Sequence, residues 1–120
     1  MDFLSYKTFV WPRNPHAYQE VASRTPYYIT QDGVAYFQGM SDLKRVITGS
    51  GVFYGPDAYE QYKQLQRLAE ESSAGNLEHP IFGIRYCYFT MLEVTQEPKE
   101  NYVAYRFEFT QAKANGEIPK

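Results

Sequence analysis

One segment of this chain carries a helical period, and it sits among segments that do not. PDAYEQYKQLQRLAEESS, residues 56–73, places Ala58, Tyr62, Leu65 and Ala69 at spacings of four, three and four, with Leu68 on the same face. Gln61, Lys63, Gln64 and Arg67 lie toward the polar side. Asp57 is a candidate N-cap, with Glu60 at the spacing of a capping box, and Gly75 is the expected stop. A helix of about seventeen residues is about 25 Å long, enough to lie across one sheet. A lone amphipathic helix must bury its stripe against strands, so the expected class is α+β. The expected object is a mostly antiparallel, curved sheet or small β-barrel with one flanking helix.

The strands are read from period two and turn chemistry. SYKTFVWP (5–12) is a short strand stopped by Pro12, and residues 16–25 are taken as extended. In PYYITQDGVAYFQG (26–39), two β-type runs flank Asp32–Gly33, a pair suited to a hairpin turn because it accepts positive φ. LKRVITGSGVFYG (43–55) reads as a long strand whose glycines mark a bulge or a close-packed crossing. Residues 75–83 read as a loop. In RYCYFTMLEV (85–94), Tyr86, Tyr88, Leu92 and Val94 are assigned to one face and Cys87, Phe89 and Met91 to the other. YVAYRFEFT (102–110) alternates cleanly, with Val103, Tyr105, Phe107 and Phe109 inward. One domain over residues 1–112 is expected, followed by a flexible tail at 113–120.

Charge and composition narrow the function classes. The 12 basic and 14 acidic residues are interspersed and give a net charge of −2, which argues against nucleic-acid binding by phosphate neutralisation. The longest apolar run is far short of a membrane span, and MDFLSYK reads as no secretory leader. The default location is therefore the cytoplasm, or a particle assembled there. A single cysteine, Cys87, excludes an internal disulfide. The 12 tyrosines suit either a strand-rich core or a partner surface, because tyrosine joins a large apolar face to a polar tip.

GSGVFYGPDAYEQY (49–62) invites comparison with a phosphate-binding loop and fails it. Its glycines are spaced G-x-G-x-x-x-G, no Lys-Ser or Lys-Thr follows, and Val52, Phe53 and Tyr54 separate Gly49 and Gly51 from the helix. They read as structural glycines in a strand that runs into a helix. His16 and His79 lack a second ligand at metal spacing, Cys87 lies mid-strand among aromatics, and no G-x-S-x-G element is present. No catalytic, cofactor or metal residue is assigned, and the expectation is a non-enzyme without cofactor.

The segments KRVITGSGVFYGPDAYEQYKQLQRLAEESSAGNLEHPIFGI (44–84) and YFTMLEVTQEPKENYVAYRFEFTQA (88–112) resemble a family of bacteriophage and prophage contractile-tail proteins. These are baseplate-hub-proximal, related to the DNA-circularisation N-terminal domain and to the leading domain of LysM-bearing tail proteins. The resemblance rests on the G-x-G-x-[FY]-[FY]-G strand end, the D-A-Y-E-Q-Y helix start, the G-x-L-x-H-P turn and the closing NYV-x-Y-x-F-E-F strand. It covers roughly residues 40–112, and the FVWPRNP opening also fits.

The resemblance implies a tail-tube-like fold and a structural component of a virion tail, at the tube–baseplate junction. Such a protein would be made in the host bacterial cytoplasm, contact other tail and baseplate proteins, and form a homo-oligomeric ring. Neither cell-wall binding nor DNA joining is carried over, since no LysM segment lies in this sequence and the charge is balanced. Candidate interface residues are Trp11, Tyr27, Tyr28 and Tyr36. The competing reading is a small-molecule-binding α+β barrel, with Tyr86, Tyr88, Tyr105 and Phe107 lining a pocket.

Overall fold

A computed structural model describes residues 3–112, so the tail expected at 113–120 lies outside the described residues. The strands are β1 (Ser5–Tyr6), β2 (Phe9–Val10), β3 (Ala17–Ser23), β4 (Pro26–Gln31), β5 (Val34–Met40) and β6 (Lys44–Tyr54). Then come α1 (Ala58–Glu70), β7 (Gly75–His79), β8 (Gly83–Val94) and β9 (Tyr102–Gln111). Seven strands form one antiparallel sheet in the order β2-β1-β7-β8-β9-β6-β3, and β4-β5 form a separate ribbon. The class is α+β with a curved sheet, as read from the sequence, and it is not a closed barrel. The sheet does curl until its β3 edge meets the β7–β8 hairpin. Side chains, not backbone pairing, bridge that seam: the Tyr18 and His79 rings lie 4.1 Å apart, and the Arg85 guanidinium is 3.6 Å from Glu20.

Inside the curl the alternation of β9 does what its sequence requires. Val103, Tyr105, Phe107 and Phe109 are buried and stack with Trp11, Phe53 and Tyr6 into an aromatic core. The helix lies against β6, β8 and β9 and adds Ala58, Tyr62, Leu65 and Leu68 to it. Gly49 and Gly51 are a close-packed crossing. A Cβ on Gly49 would strike the Phe107 ring and lie 2.8 Å from the Ala17 carbonyl; one on Gly51 would lie 2.8 Å from the Tyr105 hydroxyl.

Four local expectations are corrected. The 5–12 segment is two two-residue strands, because Lys7 takes φ +53° and its ammonium is held by Glu71 and Ser73, folding the chain back. Asp57 makes no side-chain capping bond, and the helix ends at an extended Glu71, four residues before Gly75. Residues 75–79 form a strand, because Tyr6 pairs with Leu77 and both enter the core. In β8 a bulge between Phe89 and Met91 switches the phase of alternation. Leu92 and Val94 therefore pack on the core alongside Cys87 and Phe89, and not on the face of Tyr86 and Tyr88.

Candidate assembly surface

The β4–β5 ribbon stands away from the body. Its turn residues Asp32 and Gly33 take φ +54° and +80°, the double positive φ that a tight two-residue hairpin needs. At the root, Ser41 N–H donates to the Thr25 carbonyl and Thr25 N–H donates to the Ser41 hydroxyl, both at 2.8 Å. Beyond that clamp the two strands pair only with each other. The protrusion stretches the molecule to 65 × 29 × 25 Å, with a radius of gyration of 17.7 Å. A compact chain of this length would have a radius of about 14 Å.

Both faces of this arm are apolar and open to solvent. Residues directly opposite share a face, so Tyr28 and Phe37 lie on one side and Ile29 with Tyr36 on the other. Tyr28 and Phe37 meet edge to face at 6.1 Å and are 60% and 62% exposed; Tyr27, Ile29, Val34, Tyr36 and Met40 are about as exposed. An isolated two-stranded ribbon is marginal in water and gains stability when its faces are covered. Exposed apolar patches of this kind are common where proteins meet other proteins.

Three of the four candidate residues, Tyr27, Tyr28 and Tyr36, come together on this arm, and Trp11 does not. Trp11 is fully buried, packs against Phe9 and Phe107, and donates its indole N–H to the Tyr105 hydroxyl at 2.9 Å. Its place is in the core, because Leu4 accepts the Trp11 amide and turns the strand inward. Sequence reading missed Ile29 and Phe37, although their alternation with Tyr28 and Tyr36 was in view. The four residues proposed to line a pocket are likewise divided: Tyr105 and Phe107 fill the core, while Tyr86 and Tyr88 lie on the opposite face. Among the described residues, no group of three or more His, Cys, Asp or Glu could hold a metal ion, and no helix is long and apolar enough to cross a membrane.

The seam beside the arm root holds the titratable groups that the sequence left unassigned. His79 is buried; its Nδ1 accepts the amides of Ile81 at 2.9 Å and Phe82 at 3.0 Å, and its ring stacks on Phe82. Burial holds its pKa below the ordinary histidine value, with Glu20 opposing the shift. Above about pH 6.5 folded and unfolded chains both carry a neutral imidazole. As pH falls below that value the unfolded chain takes up a proton first, so stability drops toward the lower folded pKa. The melting temperature is expected to be lower at pH 5 than at pH 7.5, and His79→Gln is expected to flatten that dependence. An unchanged pH profile in the variant would remove His79 as its source. Cys87 lies in the core, where burial pushes its thiol up to about 12.

A curled antiparallel sheet with one helix and a projecting ribbon makes the described residues an α+β fold. Residues 21–86 match the family described as the DNA circularisation protein N-terminus, more than half of the chain, and the chain belongs to that family. Its fold is similar to that of a solved chain in the virion of a native gene transfer agent particle. That likeness has 17% identity and a TM-score of 0.56, over 93% of this chain and 91% of that one. It is also similar to a chain of the tail of an empty gene transfer agent particle with C6 symmetry. There the identity is 19% and the TM-score 0.50, over 83% of this chain and 78% of that one. No match was found among curated proteins.

Proposed function

We propose that this chain is a non-enzymatic structural component of a phage-derived tail, seated at the tube–baseplate junction and assembled by protein–protein contacts. The observation that carries the reading is the arm: a ribbon with apolar side chains exposed on both faces, clamped at its root and unsupported by its own body. A fold shared over nearly its whole length with a chain of a virion, and with one of a C6-symmetric tail, supports the setting. In a closed ring each copy offers two different, complementary patches. The arm is one, lying on the flank of the next copy or of a neighbouring tail protein.

The test is Tyr28→Glu combined with Phe37→Lys. The two residues face each other across the ribbon, so the new ion pair preserves the hairpin and the net charge while removing the apolar face. Native mass over a concentration series is expected to show a discrete multimer, six-fold or a divisor of six, for the parent. The variant should stay monomeric with an unchanged circular dichroism spectrum. Multimers of equal strength in both chains would refute the arm.

A further inference from the structure

The tip of the β7–β8 hairpin is held by a side chain in place of a backbone carbonyl. Pro80, Ile81 and Phe82 join His79 to Gly83, the last pair of that ladder. Backbone N–H groups in a turn need acceptors, and those of Ile81 and Phe82 find theirs in one atom, Nδ1 of His79, at 2.9 and 3.0 Å. The same imidazole closes the seam. Phe82 stacks on it with centroids 4.4 Å apart and planes at 20°, and Tyr18 of β3 meets it edge to face at 4.1 Å. An Nδ1 that accepts hydrogen bonds carries no proton, so the neutral ring keeps its proton on Nε2.

The charged groups around that ring leave an added proton without a dedicated partner. Glu20 of β3 is the carboxylate that acts on it. Its Oε1 is already shared between the Arg45 guanidinium of β6 and the Arg85 guanidinium of β8, at 3.7 and 3.6 Å. Glu78, beside His79 on β7, points to the other face by strand alternation and accepts the Ser5 hydroxyl at 3.0 Å. Among the described residues, the Tyr18 hydroxyl, His79 Nε2 and Arg85 Nε are buried without a hydrogen-bond partner. No hydrogen bond from these three atoms holds the seam shut.

We infer that His79 is a pH-sensitive latch: the neutral ring holds the 80–82 tip and the seam shut, and an added proton releases both while the rest of the sheet stays folded. Protonation turns Nδ1 from an acceptor into a donor that faces two N–H donors, so both turn bonds are lost together. The released tip is free to move, because Pro80 and Gly83 are exposed and Ile81 is 84% exposed. β6 and β9 lie outside the change, since backbone pairing joins them from Val46↔Thr110 to Tyr54↔Tyr102. Burial holds the ring's pKa below the ordinary histidine value, so the latch is shut at neutral pH and opens in acid. It lies in the body of the fold and does not rest on the arm.

The test follows amide exchange and imidazole NMR shifts of the full chain in dilute solution, from about pH 7.5 to about pH 4.5. Exchange is expressed as protection factors, which removes its intrinsic pH dependence. The Ile81 and Phe82 amides are expected to lose protection about tenfold or more as pH falls. Their midpoint should coincide with that of the His79 imidazole, and the Tyr18–His79 ring NOE should fade alongside. The β6 and β9 amides are expected to stay protected. His79→Asn keeps an acceptor for the turn amides on a side chain that does not titrate in this range, so its tip should hold its protection throughout. His16→Gln, at the other, exposed imidazole, is expected to change nothing. Four results would each overturn the proposal: tip amides equally protected at every pH, a midpoint apart from that of the imidazole, a loss in His79→Asn as large as the parent's, or β6 and β9 opening in step with the tip. The parent curves alone decide it if the Asn variant does not fold.

Discussion

Trp11→Ala is expected to lower stability by about 3–5 kcal/mol, the cost of emptying a large aromatic site that the surroundings cannot refill. The indole is fully buried between Phe9 and Phe107, and its N–H is the donor that the buried Tyr105 hydroxyl accepts. Truncation therefore leaves both a cavity and a hydroxyl without that donor. A chain of this size has about 5–15 kcal/mol in total, so the melting temperature should fall by roughly 10–20 °C. Trp11→Phe, which keeps most of the volume, should recover a large part. Had Trp11 been a surface residue, truncation would cost less than about 0.5 kcal/mol. The thermal melt therefore separates core from interface directly.

Gly49→Ala is expected to cost about 1–3 kcal/mol through overpacking, although it adds a single methyl group. The new Cβ would meet the Phe107 ring on one side and the Ala17 carbonyl on the other, and the second is backbone of β3 that cannot swing away. Phe107→Leu removes part of the ring. In a double-mutant cycle the pair should lose less than the sum of the single losses, by about 0.5 kcal/mol or more. Strict additivity would show that the glycine is not there for the ring. A phosphate-loop origin for Gly49 and Gly51 would predict normal stability and lost ligand binding, so the same melt decides between the two roles.

Much of the fold was legible because it rests on local chemistry. The helical period of 58–69, the Asp32–Gly33 turn and the alternation of 103–109 each have one physical solution, and the structure adopts it. The glycine crossing was legible as one of two options. The errors share a cause: long-range contacts invisible in a local window. Gly75 starts a strand and does not end a helix, because the Lys7 side chain occupies the space above it and Leu77 pairs with Tyr6. Leu92 and Val94 change face because the bulge sits between Phe89 and Met91, and no residue there announces it.

The assembly surface was legible in part for the same reason. Tyrosines at 27, 28 and 36 are equally at home in a core, and only the topology, which leaves β4 and β5 paired with nothing else, exposes them. Trp11 reads the same way in sequence and is buried.

The central claim is that the 26–40 arm becomes covered by another chain. Amide hydrogen exchange across a concentration series tests it most directly, with the β6 and β9 amides as the internal reference. The arm amides should exchange fast in dilute protein, where a lone ribbon opens readily, and slow strongly as multimers form, while the reference strands stay protected throughout. Arm amides that exchange at one rate in monomer and multimer alike would contradict the account.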